Sequence, residues 1–232
     1  MKTRGEKQYI NMPSFAARLY DNLTSVKGVN KSFEEIAFFI TSFLKHGKLL
    51  DIGTGPGRLL YEINKCNPQI ELYGLDISEA MLEIARKNLQ SVNNIDLCTG
   101  NIVKTDYQDN LFDCIVSTGS FYNWDRPVDG LNEIYRILKP GTTAYIFESY
   151  KDHNKEIFCS HLKANLKGYN IFRKALSKYF LMKQLKMTYS IKDFDDLIKQ
   201  TKFYSSYKIH QIELGNLPIY LKIELRKHEQ YN

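Results

Sequence analysis

Leu49-Leu50-Asp51-Ile52-Gly53-Thr54-Gly55-Pro56-Gly57 is an apolar run that breaks into a turn with glycine at alternate positions. About twenty residues on, Gly74-Leu75-Asp76 closes a second apolar run with a carboxylate. A strand entering a glycine-rich turn lets the main chain come close to a ligand. A carboxylate at the end of the next strand can accept two hydrogen bonds from ribose hydroxyls. Together they suit an adenosine-bearing molecule lying across the edge of a parallel sheet. Spacing excludes two common forms of this site. A dinucleotide fingerprint needs Gly-x-Gly-x-x-Gly, and position 58 holds Arg58 in place of the third glycine. A phosphate loop needs Gly-Lys-Ser/Thr after its glycines, which this turn lacks.

Further motifs follow in order: Asp76-Ile77-Ser78-Glu79-Ala80-Met81-Leu82, then Gly100-Asn101-Ile102, then Phe112-Asp113-Cys114-Ile115-Val116-Ser117-Thr118-Gly119-Ser120. Glu133-Ile134-Tyr135-Arg136-Ile137-Leu138-Lys139-Pro140-Gly141 comes last. With Asp-x-Gly-x-Gly-x-Gly at 51–57, the set resembles the class I S-adenosylmethionine (SAM)-dependent methyltransferases over residues 49–148. Two positions depart from that family's usual pattern. Asn101 stands where an acid is usual, and Thr142 where a second glycine is common.

The resemblance implies a cofactor, SAM, with S-adenosyl-L-homocysteine (SAH) as product, and a set of contacts. Gly53, Thr54, Gly55 and Gly57 form the turn against the methionyl half, and Asp51 reaches its ammonium. Asp76 takes the ribose hydroxyls, Ile77 and Ile102 sandwich the adenine, Asn101 meets its amine, and Met81 pads the pocket. Thr118 at the end of the fourth strand and Tyr20 in the first helix complete the expected cofactor contacts.

Methyl transfer from a sulfonium is an in-line displacement with a neutral leaving group, so no acid is required and no catalytic residue is named. The acceptor should lie beyond the carboxyl ends of the strands, in a space built by the loops after strands 4 and 5 and by the N-terminal helices. Phe121, Tyr122 and the lone tryptophan, Trp124, follow strand 4 and are expected to wall it, with Tyr150 after strand 5. Ser117-Thr118-Gly119-Ser120 differs from the Asn/Asp-Pro-Pro-Tyr/Phe of amino-methylating nucleic-acid enzymes, and Cys114 lies inside a strand, unsuited to act as a nucleophile. No metal is expected.

Alternating patterns supply the scaffold. Residues 14–24 and 31–45 read as helices, the second with Phe33, Ile36, Ala37, Ile40 and Leu44 on one face. Strands are expected at 48–52, 70–75, 95–99, 113–117 and 143–148, with helices between them. Ser78 should cap the helix that follows it, and Pro140-Gly141 should stop the helix carrying Leu131, Ile134, Tyr135 and Leu138. This predicts an α/β fold: a mostly parallel sheet covered on both faces. Strands at 207–214 and 219–226 are joined by Gly215-Asn216-Leu217-Pro218, too short for anything but an antiparallel pair. Under the resemblance this is the seven-stranded Rossmann-like methyltransferase sheet with its C-terminal hairpin.

At 232 residues and 43% apolar composition, one substantial core is feasible. The expected division is a single domain: an N-terminal helical cap (1–47), a SAM-binding core (48–150), a helical lid insert (151–188), and a last helix with the hairpin (189–232). Cys66, Cys98, Cys114 and Cys159 are scattered and read as buried reduced thiols. The charged opening residues lead into no apolar segment, so a cytoplasmic protein without membrane insertion is expected. Residues 151–232 carry 16 basic against 8 acidic side chains, concentrated between Lys151 and Lys186. That face could meet an acidic acceptor, a nucleic acid or a membrane surface. Three functions fit: a methyltransferase for a small molecule, which the motif set favours; one for RNA or protein; and a non-catalytic SAM-binding protein.

Overall fold

A computed structural model describes residues 13–24 and 26–229. Two helices, α1 (Ser14–Thr24) and α2 (Lys27–Phe43), precede β1 (Gly47–Ile52). Then come α3 (Arg58–Cys66), β2 (Ile70–Asp76), α4 (Glu79–Asn88), β3 (Ile95–Thr99) and β4 (Phe112–Thr118). A short 3₁₀ turn (Phe121–Asn123) leads to α5 (Pro127–Ile137) and β5 (Leu138–Ser149). Helices α6 (Lys155–Asn165), α7 (Ile171–Met187) and α8 (Ile191–Ile198) precede β6 (Tyr207–Leu214) and β7 (Leu217–Arg226).

The strands form one seven-stranded sheet in the order β3-β2-β1-β4-β5-β7-β6. Pairing is parallel from β3 through β5, and β7 pairs antiparallel with both β5 and β6. The order reverses between β1 and β4, which opens a crevice at their carboxyl ends. One core cluster packs Leu131, Ile134 and Ile137 of α5 and Phe194 and Ile198 of α8 against one face of the sheet. A second packs Ile36, Ala37 and Ile40 of α2, Leu59, Leu60 and Ile63 of α3, and Leu82 and Ala85 of α4 against the other. In a third, Phe158, Leu162 and Leu166 of the insert and Leu185 of α7 meet Val26 and the hairpin residues Leu217 and Ile219. The insert is therefore anchored to the end of the sheet and the start of α2.

Ser78 caps α4 as its residue type dictates, its Oγ accepting from the Met81 N–H at 3.4 Å. Three local readings need correction. Helix α2 begins at Lys27, a turn earlier than its apolar stripe indicates. Leu138 and the Pro140-Gly141 pair belong to a long, irregular β5, because Leu138 pairs with Phe112 before a register shift resumes pairing at Thr143. Cys66, Cys98 and Cys159 are exposed, and only Cys114 is buried, where loss of solvation pushes its thiol pKa up.

Candidate active site

The glycine turn after β1 is built by main-chain geometry. Gly53 N–H and Thr54 N–H both donate to the Leu75 carbonyl, at 2.7 and 3.1 Å, which docks the turn on the end of β2. Gly53 and Gly55 have φ of 70° and 53°, a region that side chains disfavour. A Cβ on Gly53 would lie 2.4 Å from Ser120 Cβ, so glycine lets the loop after β4 close over this turn. A Cβ on Gly55 would meet nothing nearer than 4.0 Å: the space above it is open.

Asp76 reaches under this turn. Its Oδ2 accepts from Gly55 N–H at 2.7 Å and its Oδ1 from Ser78 N–H at 2.8 Å. Burial raises its pKa, and the N–H groups of Ser78, Gly55 and Ile77 oppose that shift. Asp51, 2% exposed, accepts from Thr54 Oγ1 at 2.9 Å. Burial pushes its pKa up to about 7; the Thr54 hydrogen bond works against the shift and the charge of Asp76 adds to it. Two crowded carboxyls make this end of the sheet hospitable to a cation.

Two cavities open around the turn. The first, about 780 Å³ including its mouth, is bounded by Gly53, Gly55, Asp76, Ile77 and Met81. Asn101 and Ile102 continue its wall, and Tyr122, Asn123 and Trp124 close it. Asn101 Oδ1 accepts from Val103 N–H at 3.0 Å, and a carbonyl oxygen has capacity for a second bond. The second cavity, about 1100 Å³, meets Asp51, Thr54, Arg58 and Thr118 on its polar side. Leu23 of α1, Phe33 of α2, Leu162 and Leu166 of the insert, and Phe180 and Leu181 of α7 supply its apolar walls. Gly53, Gly55, Pro56 and Gly119 line both cavities.

This geometry gathers most of the residues singled out from sequence and redistributes the others. Trp124 and Tyr122 line the first cavity and not the second, because Trp124 packs beside Gly130 of α5 and against Phe121, with ring centroids 4.7 Å apart. Phe121 is in the core against Phe194 and lines neither cavity. Tyr150 is also buried in the core, its hydroxyl 3.3 Å from Gln211 Oε1. Gly57 caps α3, where a Cβ would strike Leu89, so it serves packing and lines neither cavity. Tyr20 lies within α1, but its side chain falls outside the described residues.

Several residues had no sequence signal. The walls from α1, α2, α6 and α7 are ordinary apolar helix positions until the fold assembles them. Glu148, wholly buried on β5, accepts from Ser149 N–H at 3.0 Å, and the N–H groups of Phe121 and Tyr122 face its carboxyl. Burial, opposed by these donors, raises its pKa to about 8, so it supports the loop between the cavities mainly in protonated form at neutral pH. Tyr220, on the wall of the second cavity, is held above its usual pKa by burial and by the neighbouring Glu148.

Residues 44–211 match the profile of the methyltransferase domain family. Among curated relatives, an uncharacterised methyltransferase, YdaC, from Bacillus subtilis is 32% identical over 98 residues, covering 42% of this chain and 54% of that protein. The ubiquinone/menaquinone biosynthesis C-methyltransferase UbiE of Wigglesworthia glossinidia brevipalpis is 25% identical over 213 residues, covering 86% of this chain and 83% of its own. Among solved structures, a candidate SAM-dependent methyltransferase from Methanococcus maripaludis superposes with a TM-score of 0.70 at 26% identity, covering 94% of each chain. The chain belongs to the SAM-dependent methyltransferase family.

Proposed function

We propose that this methyltransferase acts on a small, largely apolar acceptor held in the second cavity, with the adenosine half of its donor in the first and the methionyl end reaching past the glycine turn to Asp51, at the edge of the second. The observation that carries this reading is the shared wall. Gly53, Gly55, Pro56 and Gly119 line both spaces, so a donor along the turn can present a group to the other side.

The donor site fits SAM on its own chemistry. SAM carries a sulfonium and an ammonium against one carboxylate, and Asp51 and Asp76 give the site the opposite sign. Asp76 is the candidate ribose acceptor, with one lone pair on each oxygen already engaged by main-chain N–H groups. Ile77, Ile102 and Trp124 offer apolar surface for the adenine, and Asp51 is the candidate partner of the ammonium. When bound, SAM supplies an activated methyl group whose transfer leaves a neutral thioether.

What the protein adds is position. Holding two reactants in line can contribute on the order of 7–11 kcal/mol to lowering the barrier. Helices α6 and α7 roof the acceptor space and exclude water, while Ser32, Ser177 and Gln184 provide polar groups to orient an acceptor. The name of the UbiE relative points to quinone biosynthesis, and the apolar walls suit a ring acceptor of that class. The test is methyl transfer from labelled SAM to three pools: quinone-precursor rings, total RNA and a mixture of unfolded proteins. Saturable labelling of a small ring acceptor is expected. Labelling confined to RNA or protein would overturn the reading.

A further inference from the structure

We infer that the outer face of α7, with the adjoining α1, docks on an anionic lipid bilayer. Helix α7 carries large apolar side chains on two sides, the outer of them interspersed with lysines. Its inner side sends Phe180, Leu181 and Gln184 to the second cavity and buries Ser177 and Leu185. Its outer side carries Ile171, Ala175, Tyr179 and Lys183 at four-residue intervals, which places them along one exposed stripe. Ile171 is 86% exposed, and Phe172 beside it 77%. Large apolar side chains exposed together in this way mark a surface that meets another body.

The neighbouring helix continues the pattern. Ser177 Oγ donates to the Leu23 carbonyl at 3.0 Å, and Arg173 Nη2 to the Asn22 carbonyl at 3.2 Å, so α1 packs beside α7. Phe15, 75% exposed, and the half-exposed Leu19 lie on α1.

Charge identifies the occupant. Helix α7 holds Arg173, Lys174, Lys178, Lys183 and Lys186 and no acidic residue. Exposed aliphatic and aromatic side chains set among lysines match the chemistry of a helix lying in an anionic headgroup layer. A second copy of this face would bring its lysines against themselves in a two-fold contact. A nucleic acid would use the lysines and the rings of Phe15, Phe172 and Tyr179, but would leave the aliphatic Ile171 and Leu19 in water. The roof of the apolar cavity is thus also the docking face, which would shorten the path of a lipid-soluble molecule into the cavity.

The test is flotation of the full chain with phosphatidylcholine vesicles, with and without phosphatidylglycerol. It uses no acceptor, so its result stands apart from that of the methyl-transfer assay. Binding is expected only with the anionic lipid and should fall with salt. The triple variant Lys178→Gln, Lys183→Gln, Lys186→Gln should partition on the order of 100-fold less, at about fivefold per lysine. The double variant Ile171→Ser, Phe172→Ser should lose the binding that resists salt. Unchanged SAH affinity in both variants verifies that they fold. No binding to anionic vesicles, or equal binding by the variants, would overturn the inference. So would lysine-dependent RNA affinity without vesicle binding, or a wild-type dimer that the double variant abolishes.

Discussion

Asp51 makes the donor site a pH-dependent one. It is buried at the end of β1, and its pKa of about 7 leaves it half protonated near neutrality in the free protein. A ligand ammonium beside it favours the carboxylate and returns its pKa to the ordinary range. Binding then releases a proton, so affinity rises with pH and levels off above about pH 7. From a starting value of about 7, the SAH dissociation constant should fall roughly 25-fold, about 1.9 kcal/mol, between about pH 5.5 and 7.5. Over that window the ligand keeps both its ammonium and its carboxylate charged. Titration calorimetry reads this twice: as the trend in affinity, and as about half a proton released per binding event near pH 7, from runs in two buffers of different ionisation enthalpy. Asp51→Asn should bind more weakly than wild type at pH 7.5 and show no trend. An equal affinity at both ends of the window, in protein that remains folded, would refute the pairing of Asp51 with the ammonium.

Asp76→Ala should weaken SAH binding by about 1.5–3 kcal/mol and also lower the melting temperature, since Gly55 and Ser78 N–H groups lose their acceptor; unchanged affinity would remove Asp76 from the ribose site. Trp124 is the sole tryptophan, so protein fluorescence should change saturably as SAH fills the first cavity, and Trp124→Ala should weaken SAH binding by about 1 kcal/mol or more. A flat fluorescence titration, with binding shown by calorimetry, would place the ligand elsewhere. Glu148 keeps its proton in the folded protein up to about pH 8 but loses it near the ordinary carboxylate pKa when unfolded. The folded state thus holds the extra proton between those values, and stability falls as pH rises through that window. Glu148→Gln should flatten that decline in a series of melting temperatures, whereas parallel curves would contradict it.

The glycine turn and the polar edge of the first cavity were legible because main-chain chemistry writes itself into residue type. Glycines at 53 and 55 mark positive φ, Asp76 ends a strand, and Ser78 caps a helix; each constraint is local. For the second cavity the sequence indicated the elements, the N-terminal helices and the insert, but not the individual wall residues, because those are fixed by tertiary packing. Trp124 faces the first cavity because the chain bends at Gly119, with φ of 62°, and Trp124 then packs beside Gly130, six residues on but on another element. The end of β5 is buried on both faces, so alternation gives Glu148 no address. Leu23, Phe33, Leu162 and Phe180 are spread over four helices and share a cavity only after folding.

Arg58, where a dinucleotide site would have glycine, grips the backbone carbonyl and the carboxylate of Asp21. It thereby latches α1 to the first turn of α3, and α1 in turn holds α7 through two side-chain bonds to its carbonyls. Helix α1 is thus tied into the cover of the second cavity by polar hooks, whereas α6 and α7 are anchored by an apolar cluster of their own and the sheet beneath by two more. Releasing α1 alone would leave the sheet and the anchored insert intact, a local opening whose free-energy cost lies far below that of melting.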